Sequence, residues 1–489
     1  MRLLVFDHFF GQDIDALLTV AVGRHDLRVV PYTLLYEMAR YSFSDAAFAN
    51  LEEPLRPEFA DARHQQAADA RDLLQRIYLS FPFDAIIVPS DTFFYLRPWV
   101  DAAHEIGRPF IVVQKETSIA PFTMVEYARH VRDSFPFISD LMLVCSERHK
   151  QFWINAGSDP EKIIVTGQPR FDLYCQPEQW KDLSALGVTM AIRRPTLLFF
   201  SYDRGAYSPE EIGLAPTWNQ LHAETERVLI DAALGGRYNL LIKPHPQQDI
   251  VGDAARLQRF AGAEWGRSVQ LLDGTIDTRH LIINADLVVG FQTTALYEAM
   301  AAGKPTIYTF WTEPTARYVA ELLPFHEMDD ALSIARSPDE LRQLVMNGCG
   351  PSTYEQKKRR REVWEEQLGP FDGHATERCL HLIEHFIRGY EGRVSPDVHE
   401  RRRDLVAKAP DYCRGELLRT LASALVWQAA DLLLPIAYPL LRLLRPQRSI
   451  EYAEYRAEIN RRKRSAREHA HDCGIIVALA ARPNTPSQR

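Results

Sequence analysis

Short apolar runs recur along this chain at even intervals, and stretches with helical spacing separate them. The first set of runs occupies residues 2–6, 27–32, 84–89, 109–114, 141–145 and 162–167. Residues 99–107 and 146–157 are two of the stretches with helical spacing that lie between them. Continuous apolar strands that alternate with helices are typical of a parallel sheet covered on both faces. The sequence therefore predicts an α/β fold.

The pattern breaks after Gly167 and then begins again. The second set of apolar runs occupies residues 195–201, 238–244, 268–273, 285–290 and 304–309. Two sets of similar size predict two Rossmann-like domains that face a cleft, over residues 1–185 and 190–390. Residues 395–489 would form a helical, basic extension. Because open parallel sheets bind ligands at the carboxyl ends of their strands, the cleft is the expected binding site.

Charge is distributed unevenly along the chain. Hydrophobic residues make up 46% and charged residues 25%, which is ordinary for a globular protein, and the formal net charge is -8. Residues 401–489 carry 17 Lys and Arg against 9 Asp and Glu, so the first 400 residues hold a net charge of -16. An acidic body argues against nucleic acid as a partner, because phosphate binding needs a basic face on the folded domain.

The cysteines and the N-terminus indicate the cellular compartment of the protein. Six cysteines are spread over the chain without close spacing, so neither a zinc knuckle nor a disulfide scaffold is expected. The opening stretch MRLLVFDHFF has too short an apolar part for a signal peptide and is typical of a first strand. Both features predict a cytoplasmic protein.

The stretch KPHP places Lys243 and His245 directly after the apolar run of residues 238–242. Proline has no backbone N–H and restricts the residue before it to extended conformations, so both residues are held extended where a strand ends. This arrangement would aim an ammonium and an imidazole at a ligand in the cleft. A histidine in a loop is also often a plain surface residue, and that alternative stays open.

A second polar loop follows the run that ends at Gly290. It carries Gln292, Thr293 and Thr294, and a predicted helix with Glu298 one turn further in comes next. Threonine hydroxyls and unpaired backbone N–H groups converge at such a helix start, which attracts anions such as phosphate. The alternative for the threonines is a plain helix cap, and for Glu298 a solvated helix residue.

Four motifs resemble those of GT-B glycosyltransferases. They are GQPRFD (167–172), KPHP (243–246), ADLVVGFQTTALYEAMAAGKP (285–305) and DGHATERC (372–379). The resemblance is to the bacterial surface-polysaccharide branch, which includes CDP-glycerol glycerophosphotransferases, capsular Kdo transferases and polysialyltransferases. It spans roughly residues 1–390 in order and length, but only these motifs carry it.

This resemblance implies a GT-B fold and a transfer reaction. A sugar or a polyol phosphate would move from a CMP-, CDP- or UDP-linked donor to a surface glycan or a lipid-linked glycan. The donor is a substrate, and no separate cofactor is expected. His245, Thr293 and Thr294 would contact phosphates and ribose, and Glu298 would hold ribose hydroxyls. Lys243, Gln292, Arg170 and Arg378 complete the predicted donor site.

Two acids are candidates for the catalytic base. Glu116 lies in QKET after the fourth apolar run, and Asp91 lies in PSDTFF after the third. A carboxylate at either place could accept the proton of an acceptor hydroxyl. Either could instead be a first-turn acid attracted by a helix dipole. The related families show an acidic pair followed by glycine here, and this chain departs from that pattern.

No metal requirement is expected. The sequence has no DxD motif in a plausible loop, and the charge of a leaving phosphate could be met by cations and a helix dipole.

The tail combines an apolar segment with a basic one. Residues 414–448 are long enough to cross a bilayer, which needs about 20 apolar residues, but Asp431, Pro435 and Pro439 interrupt them. A helix pair lying in the interface of the inner membrane fits better, and the arginines of residues 461–467 would favour an anionic leaflet. The alternative is a helical extension packed on the body.

Two other functions compete with the transferase. The GT-B pattern also occurs in UDP-N-acetylglucosamine 2-epimerases, which use the same nucleotide pocket and need no acceptor. The other competing function is that of a non-catalytic GT-B module that binds a nucleotide sugar. The absence at QKET of the acidic pair found in the related families favours this function.

Overall fold

The computed structural model describes residues 1–7, 10–43, 55–115, 124–190, 193–202, 218–245, 248–347, 352–412 and 415. Within these residues the chain forms two six-stranded parallel sheets, each covered by helices on both faces. The predicted pair of Rossmann-like domains in a GT-B arrangement is therefore confirmed.

The N-terminal sheet has the strand order β2-β1-β3-β4-β5-β6. Its strands are β1 (Arg2–Phe6), β2 (Asp26–Val30), β3 (Ala85–Val88), β4 (Phe110–Val113), β5 (Leu141–Val144) and β6 (Ile163–Val165). Its helices are α1 (Gly11–Ala21), α2 (Tyr32–Ser42), α3 (Ala60–Ser80), α4 (Pro98–Glu105), α5 (Met124–Ser134) and α6 (Glu147–Asn155). Short 3₁₀ segments lie at Pro57–Phe59 and Pro160–Lys162.

The C-terminal sheet has the strand order β12-β11-β10-β7-β8-β9. Its strands are β7 (Thr196–Phe200), β8 (Asn239–Lys243), β9 (Val269–Leu271), β10 (Leu287–Gly290), β11 (Thr306–Thr309) and β12 (Ser333–Ala335). The helices are α7 (Asn219–Leu234), α8 (Ile250–Ala261), α9 (Thr278–Asn284), α10 (Ala295–Ala301), α11 (Glu313–Arg317), α12 (Pro338–Asn347), α13 (Tyr354–Leu368) and α14 (Ala375–Glu391). The 3₁₀ segments are Pro169–Cys175, Pro177–Gln179, Gly262–Glu264, Val319–Glu321 and Pro324–Glu327, and residues 396–412 form a last helix.

Alternation along the N-terminal strands explains why their apolar runs are continuous. Leu4 and Phe6 of β1 pack in one hydrophobic cluster, while Leu3 and Val5 pack in another on the opposite face of the sheet. Successive side chains of a strand point to opposite faces, so a sheet covered on both sides needs apolar residues at every position. The predicted runs do not include strand β12, because its three residues, Ser333–Ala335, contain only one large apolar side chain.

The chain crosses between the two domains twice. The first crossing is the 3₁₀ segment Pro169–Cys175, and the second lies between α13 and α14. Asp172 joins the two crossings, because its carboxylate accepts hydrogen bonds from the backbone N–H groups of Ala375 and Thr376 at 2.9 and 2.8 Å. The acid of GQPRFD therefore caps α14.

Packing moves both predicted domain boundaries. The predicted bounds place helix α14 in the C-terminal domain, but Leu380 and Ile383 pack in one cluster with Leu3 of the N-terminal sheet. At the other boundary, Phe171 was assigned to the N-terminal domain but packs in the C-terminal core, with its ring centroid 5.0 Å from that of Trp364. A sequence pattern identifies strands, but it does not show which sheet a helix or a crossing segment covers.

Most of the tail lies outside the described residues, and so do the predictions made for residues 416–489. Among the helices that the structure does describe, none has the length and apolar character that a bilayer span requires.

Candidate functional site

Three strand ends of the C-terminal sheet line the predicted cleft. Strand β7 lies between β8 and β10, and neighbouring strands are about 4.8 Å apart, so the loops after β8 and β10 begin about 10 Å apart. Ser201 follows β7 and therefore lies between them. The sequence motifs KPHP and QTT, which are 46 residues or more apart in the chain, meet on one edge of one sheet.

Lys243 is buried and ties two loops together. Its Nζ donates to the carbonyl oxygen of Asp273 at 3.2 Å and to that of Gly274, both after β9. Burial lowers the pKa of the Lys243 ammonium, and the nearby carboxylate of Asp273 opposes this effect. The contacts give this lysine a structural task, whereas the sequence predicted a donor contact.

His245 is half-buried at the edge of the sheet, as expected from the prolines around it. Its backbone N–H donates to Oε1 of Gln248 at 2.6 Å, and its carbonyl oxygen accepts from the backbone N–H of Gln248 at 3.0 Å. The same Gln248 side chain donates to Ser201 Oγ at 3.0 Å and to Asp253 Oδ2 at 3.1 Å. Gln248 therefore fixes the loop that carries His245 to β7 and to α8.

These contacts belong to a ring of six side chains that the sequence did not reveal. Five of its links are hydrogen bonds, and the sixth is a longer contact between His222 and Glu226. Its members are Ser201, His222, Glu226, Arg256, Asp253 and Gln248. Ser201 Oγ lies 2.9 Å from His222 Nε2, and Glu226 Oε1 lies 3.6 Å from the same nitrogen. Arg256 donates to Glu226 at 2.9 Å and to Asp253 at 2.9 Å. A Ser-His-acid relay needs the acid on the other imidazole nitrogen, so this ring is a support and not a hydrolytic triad.

The three predicted residues of the loop after β10 differ in their contacts. Gln292 is buried with φ +47, and its amide donates to Tyr308 Oη at 2.8 Å and accepts from the Leu323 backbone N–H at 2.7 Å. Thr293 Oγ1 accepts from the Ala295 backbone N–H at 3.3 Å, as a helix cap does. The Thr294 side chain makes no capping hydrogen bond and is half-buried at the edge. Thr294 is thus the residue of this loop best placed for a ligand.

Glu298 lies where the first crossing meets the C-terminal domain. Its Oε2 accepts a hydrogen bond of 2.7 Å from the hydroxyl of Tyr174, a residue of the first crossing. Burial raises the pKa of the Glu298 carboxyl, and the guanidinium of Arg170 and the Tyr174 hydrogen bond oppose the rise. A carboxylate with a positive charge nearby and a fixed orientation could accept hydrogen bonds from ribose hydroxyls, and this role of Glu298 stays a prediction.

Arg170 is held from the N-terminal side. Its Nη1 lies 3.3 Å from Asp13 Oδ2, and its Nη2 donates to the Lys115 carbonyl oxygen at 3.3 Å. Asp13 is 1% exposed and also accepts from the Arg170 backbone N–H at 3.0 Å. The guanidinium of Arg170 is therefore anchored to the N-terminal domain, and its positive charge acts on the carboxyl of Glu298 in the C-terminal domain. Asp13 gave no sequence signal because an acid in the first turn of a helix is common.

The structure places the remaining candidates elsewhere. Arg378 donates to the Thr166 carbonyl oxygen at 2.8 Å and to Asp372 at 2.6 Å, and it borders a cavity between the end of α1 and α14, on the flank of the N-terminal domain. Asp91 is fully buried after β3 and accepts hydrogen bonds from the loop at Ser139. Glu116 lies outside the described residues.

A cysteine and a histidine near the second crossing do not form a reactive pair. Cys145 Sγ lies 3.2 Å from His149 Nδ1, and the thiol is buried. Burial raises the pKa of Cys145 to about 12, so the neutral thiol persists at physiological pH and is a poor nucleophile. Within the described ranges, no three His, Cys, Asp or Glu side chains come together as metal ligands would.

The comparisons with known proteins returned solved structures only. Neither a family model nor a curated protein matches the sequence. The UDP-GlcNAc 2-epimerase from Neisseria meningitidis bound to UDP-GlcNAc shares 14% identity over 78% of this chain and 99% of its own, with a TM-score of 0.46. A putative UDP-N-acetylglucosamine 2-epimerase from Listeria monocytogenes shares 15% over 79% and 96%, with a TM-score of 0.47. The UDP-GlcNAc 2-epimerase from Methanocaldococcus jannaschii shares 13% over 79% and 100%, also at 0.47.

These comparisons correct the predicted activity. The sequence motifs predicted a glycosyltransferase and left a UDP-N-acetylglucosamine 2-epimerase as an alternative. The three solved structures named above are described as UDP-GlcNAc 2-epimerases, which contradicts the transferase prediction and favours the alternative. None of the three belongs to the polysaccharide families that the motifs resemble. At these identities the likeness is one of fold, so residue roles in this chain depend on its own contacts.

Proposed function

We propose that this protein is an enzyme that binds a nucleoside diphosphate sugar in its cleft and epimerises the sugar. The observation that carries the proposal is the convergence of His245, Thr294 and Glu298 at the carboxyl edge of the C-terminal sheet. A diphosphate with a ribose is about as long as the 10 Å between the loops after β8 and β10. The two loops offer donors for phosphate, and Glu298 offers an acceptor for ribose hydroxyls.

Epimerisation needs groups that transfer protons, and the sequence offers one candidate after a strand of each sheet. Inverting the carbon next to the anomeric carbon requires that a proton be removed from one face while the nucleoside diphosphate leaves the anomeric carbon, so that the electron pair of the broken C–H bond forms a double bond between the two carbons. The diphosphate then adds back as a proton is delivered to the other face, so proton-transfer groups are needed on both sides of the sugar. His245 approaches from the C-terminal sheet, and histidine is the side chain that most often acts as a general acid or base. Glu116, predicted after β4, would approach from the N-terminal sheet. No acceptor is required for such a reaction.

The non-catalytic alternative has one observation in its favour. Three predicted site residues, Lys243, Gln292 and Asp91, use their polar atoms in hydrogen bonds within the protein. A module that only binds a nucleotide sugar would need no proton-transfer groups, and its strand ends could be given over to such internal contacts.

The test uses UDP-GlcNAc, the ligand named for one of the similar structures. The full chain is incubated with UDP-GlcNAc alone, and the anomeric proton signals are followed by NMR. We expect a second set of signals from the 2-epimer, and we expect His245→Ala to abolish it. Gln151→Ala, at an exposed position on α6, is the matched control and should leave conversion unchanged.

Binding is measured in parallel by thermal shift with UDP, CDP and CMP. A ligand present at a hundred times its dissociation constant adds about 2.7 kcal/mol of stability if it binds the native state only. Stabilisation by a nucleotide without any conversion of UDP-GlcNAc would support the non-catalytic alternative. No stabilisation by any of the nucleotides would contradict the site itself.

A further inference from the structure

A cavity of about 350 Å³ opens at the amino-terminal edge of the N-terminal sheet. This edge is opposite to the cleft, because Arg2 begins β1 and Arg108 precedes β4. The side chains that matter for its chemistry are Arg2, Tyr78, Asp84, Arg108, Arg402 and Arg403. We call it the arginine cavity. It is separate from every residue of the proposed nucleotide-sugar site.

The arginine cavity keeps a positive charge after its ion pairs are taken into account. Glu391 accepts from Arg402 Nη2 at 2.7 Å and also from Arg108, so one carboxylate serves two guanidinium groups. Asp84 Oδ1 lies 3.9 Å from Arg108 Nη2. Four arginines and two acids leave a net charge of about +2 in a body that is otherwise acidic.

Several donors in the cavity lack acceptors. Arg108 is 8% exposed, its Nη2 donates to Tyr78 Oη at 3.0 Å, and its buried Nε has no acceptor among the described residues. The Tyr78 hydroxyl accepts that bond, and within the described ranges no acceptor is found for its own hydrogen. Arg403, exposed on the helix of residues 396–412, makes no hydrogen bond or ion pair with a described residue. A buried donor without an acceptor destabilises the fold, so Arg108 Nε and the Tyr78 hydroxyl favour an added acceptor.

We propose that the arginine cavity binds a phosphate group. Phosphate offers several acceptor oxygens, and guanidinium groups match its geometry with paired hydrogen bonds. Arg108 Nε and the Tyr78 hydroxyl would contact it from inside the cavity, and Arg2 and Arg403 would contact it from the rim. The volume exceeds that of a bare phosphate, so a phosphate ester fits better.

Two sources can supply this chemistry, a soluble phosphate ester and the phosphomonoester headgroup of a lipid. The helix of residues 396–412 contributes Arg402 and Arg403, and the sequence after it is first apolar and then basic. The experiment therefore has one arm for each source and uses the full chain in both.

The first arm measures binding of inorganic phosphate by calorimetry, with chloride keeping the ionic strength constant. Arg403→Glu should weaken binding about tenfold or more, because it removes a charge-assisted hydrogen bond and adds repulsion. Arg401→Glu is the matched control, since it makes the same change of charge two residues away at an exposed position outside the cavity. Tyr78→Phe, which keeps the ring, should also weaken binding.

The second arm measures flotation with phosphatidylcholine vesicles that contain either phosphatidic acid or phosphatidylserine at equal surface charge. If the source is a lipid, the wild-type chain and Arg401→Glu prefer phosphatidic acid, and Arg403→Glu loses that preference. Phosphate binding without a lipid preference assigns a soluble ester. The proposal is overturned if neither phosphate nor phosphatidic acid binds, or if both charge reversals weaken binding equally. The arginines would then serve only to fasten the last helix.

Discussion

Asp91 is fully buried at the end of β3 and receives three hydrogen bonds on one oxygen. The donors to its Oδ2 are the backbone N–H groups of Ile138 and Ser139, at 2.9 and 3.0 Å, and the Ser139 hydroxyl at 2.8 Å. Its Oδ1 has no partner among the described residues. Burial raises the pKa of this carboxyl, and the hydrogen bonds oppose the rise. Asp91 thus fastens the loop before β5 to the end of β3.

Replacing Asp91 with Ala should therefore lower the free energy of unfolding by about 3 kcal/mol, because three donors lose their acceptor. Asp91→Asn should cost less, since the amide oxygen can accept the same bonds. Urea denaturation at neutral pH measures both. Equal losses in the two variants would show that the hydrogen bonds are not what matters at this position.

The raised pKa of Asp91 also makes the free energy of unfolding depend on pH. Between the ordinary pKa of an aspartate and the raised pKa in the folded state, the folded protein holds a proton that the unfolded chain has lost. The free energy of unfolding therefore falls as pH rises through this window. Asp91→Asn should remove that decline, which urea denaturation at a series of pH values will detect. A decline of unchanged size in the variant would assign it to other groups.

The second crossing, which follows α13, passes close to the backbone of the N-terminal domain at Gly369. Gly369 has φ 87 and ψ -160, and a Cβ at this position would lie 1.7 Å from the carbonyl oxygen of Cys145. Its backbone conformation is nearly confined to glycine, and the neighbouring atom belongs to a backbone that cannot rotate away. The second crossing can pass β5 only because this residue has no side chain.

Gly369→Ala is therefore expected to reduce the free energy of unfolding by more than about 4 kcal/mol. The matched control is Gly262→Ala, because Gly262 also has a positive φ of 53 but nothing lies within 4 Å of an added Cβ. It should lose only the cost of backbone strain, about 1–3 kcal/mol. Chemical denaturation compares the two, and similar losses would mean that the crossing can move away from Cys145.

At the scale of the whole molecule, the two domains are not independent along the chain. Helix α14 follows the C-terminal domain in sequence, yet it buries Leu380, Ile383 and Ile387 against the N-terminal sheet. Asp172 of the first crossing caps the same helix. The core of the N-terminal domain is therefore complete only after the C-terminal domain and α14 have been synthesised.

A chain that ends at residue 412 should unfold cooperatively, and one that ends at residue 374 should aggregate or unfold at a much lower temperature. Each large apolar side chain of α14 contributes about 1.5–3 kcal/mol through burial, against a total stability of about 5–15 kcal/mol. Calorimetry and light scattering distinguish the two chains. Because both lack residues 413–489, a difference between them comes from residues 375–412, which are α14 and the last helix. Equal unfolding temperatures would contradict the role given to α14.

The sequence by itself determined the fold class and the strands that form it. Eleven of the twelve strands coincide with apolar runs, because strands buried on both faces must be apolar throughout. It also determined that KPHP and QTT follow strands, since proline and threonine have strong local preferences at such ends. These are short-range effects, which neighbouring residues fix before any distant contact forms.

The tertiary structure decided how those residues are used. Lys243 and Gln292 belong to the predicted motifs, but partners 30 residues or more away, or across a sheet, engage their side chains in structural bonds. Asp13, Tyr174 and the ring through Gln248 had no local signal. The reason is physical: a hydrogen bond requires a particular distance and direction between groups, and for distant residues only the packed chain sets both.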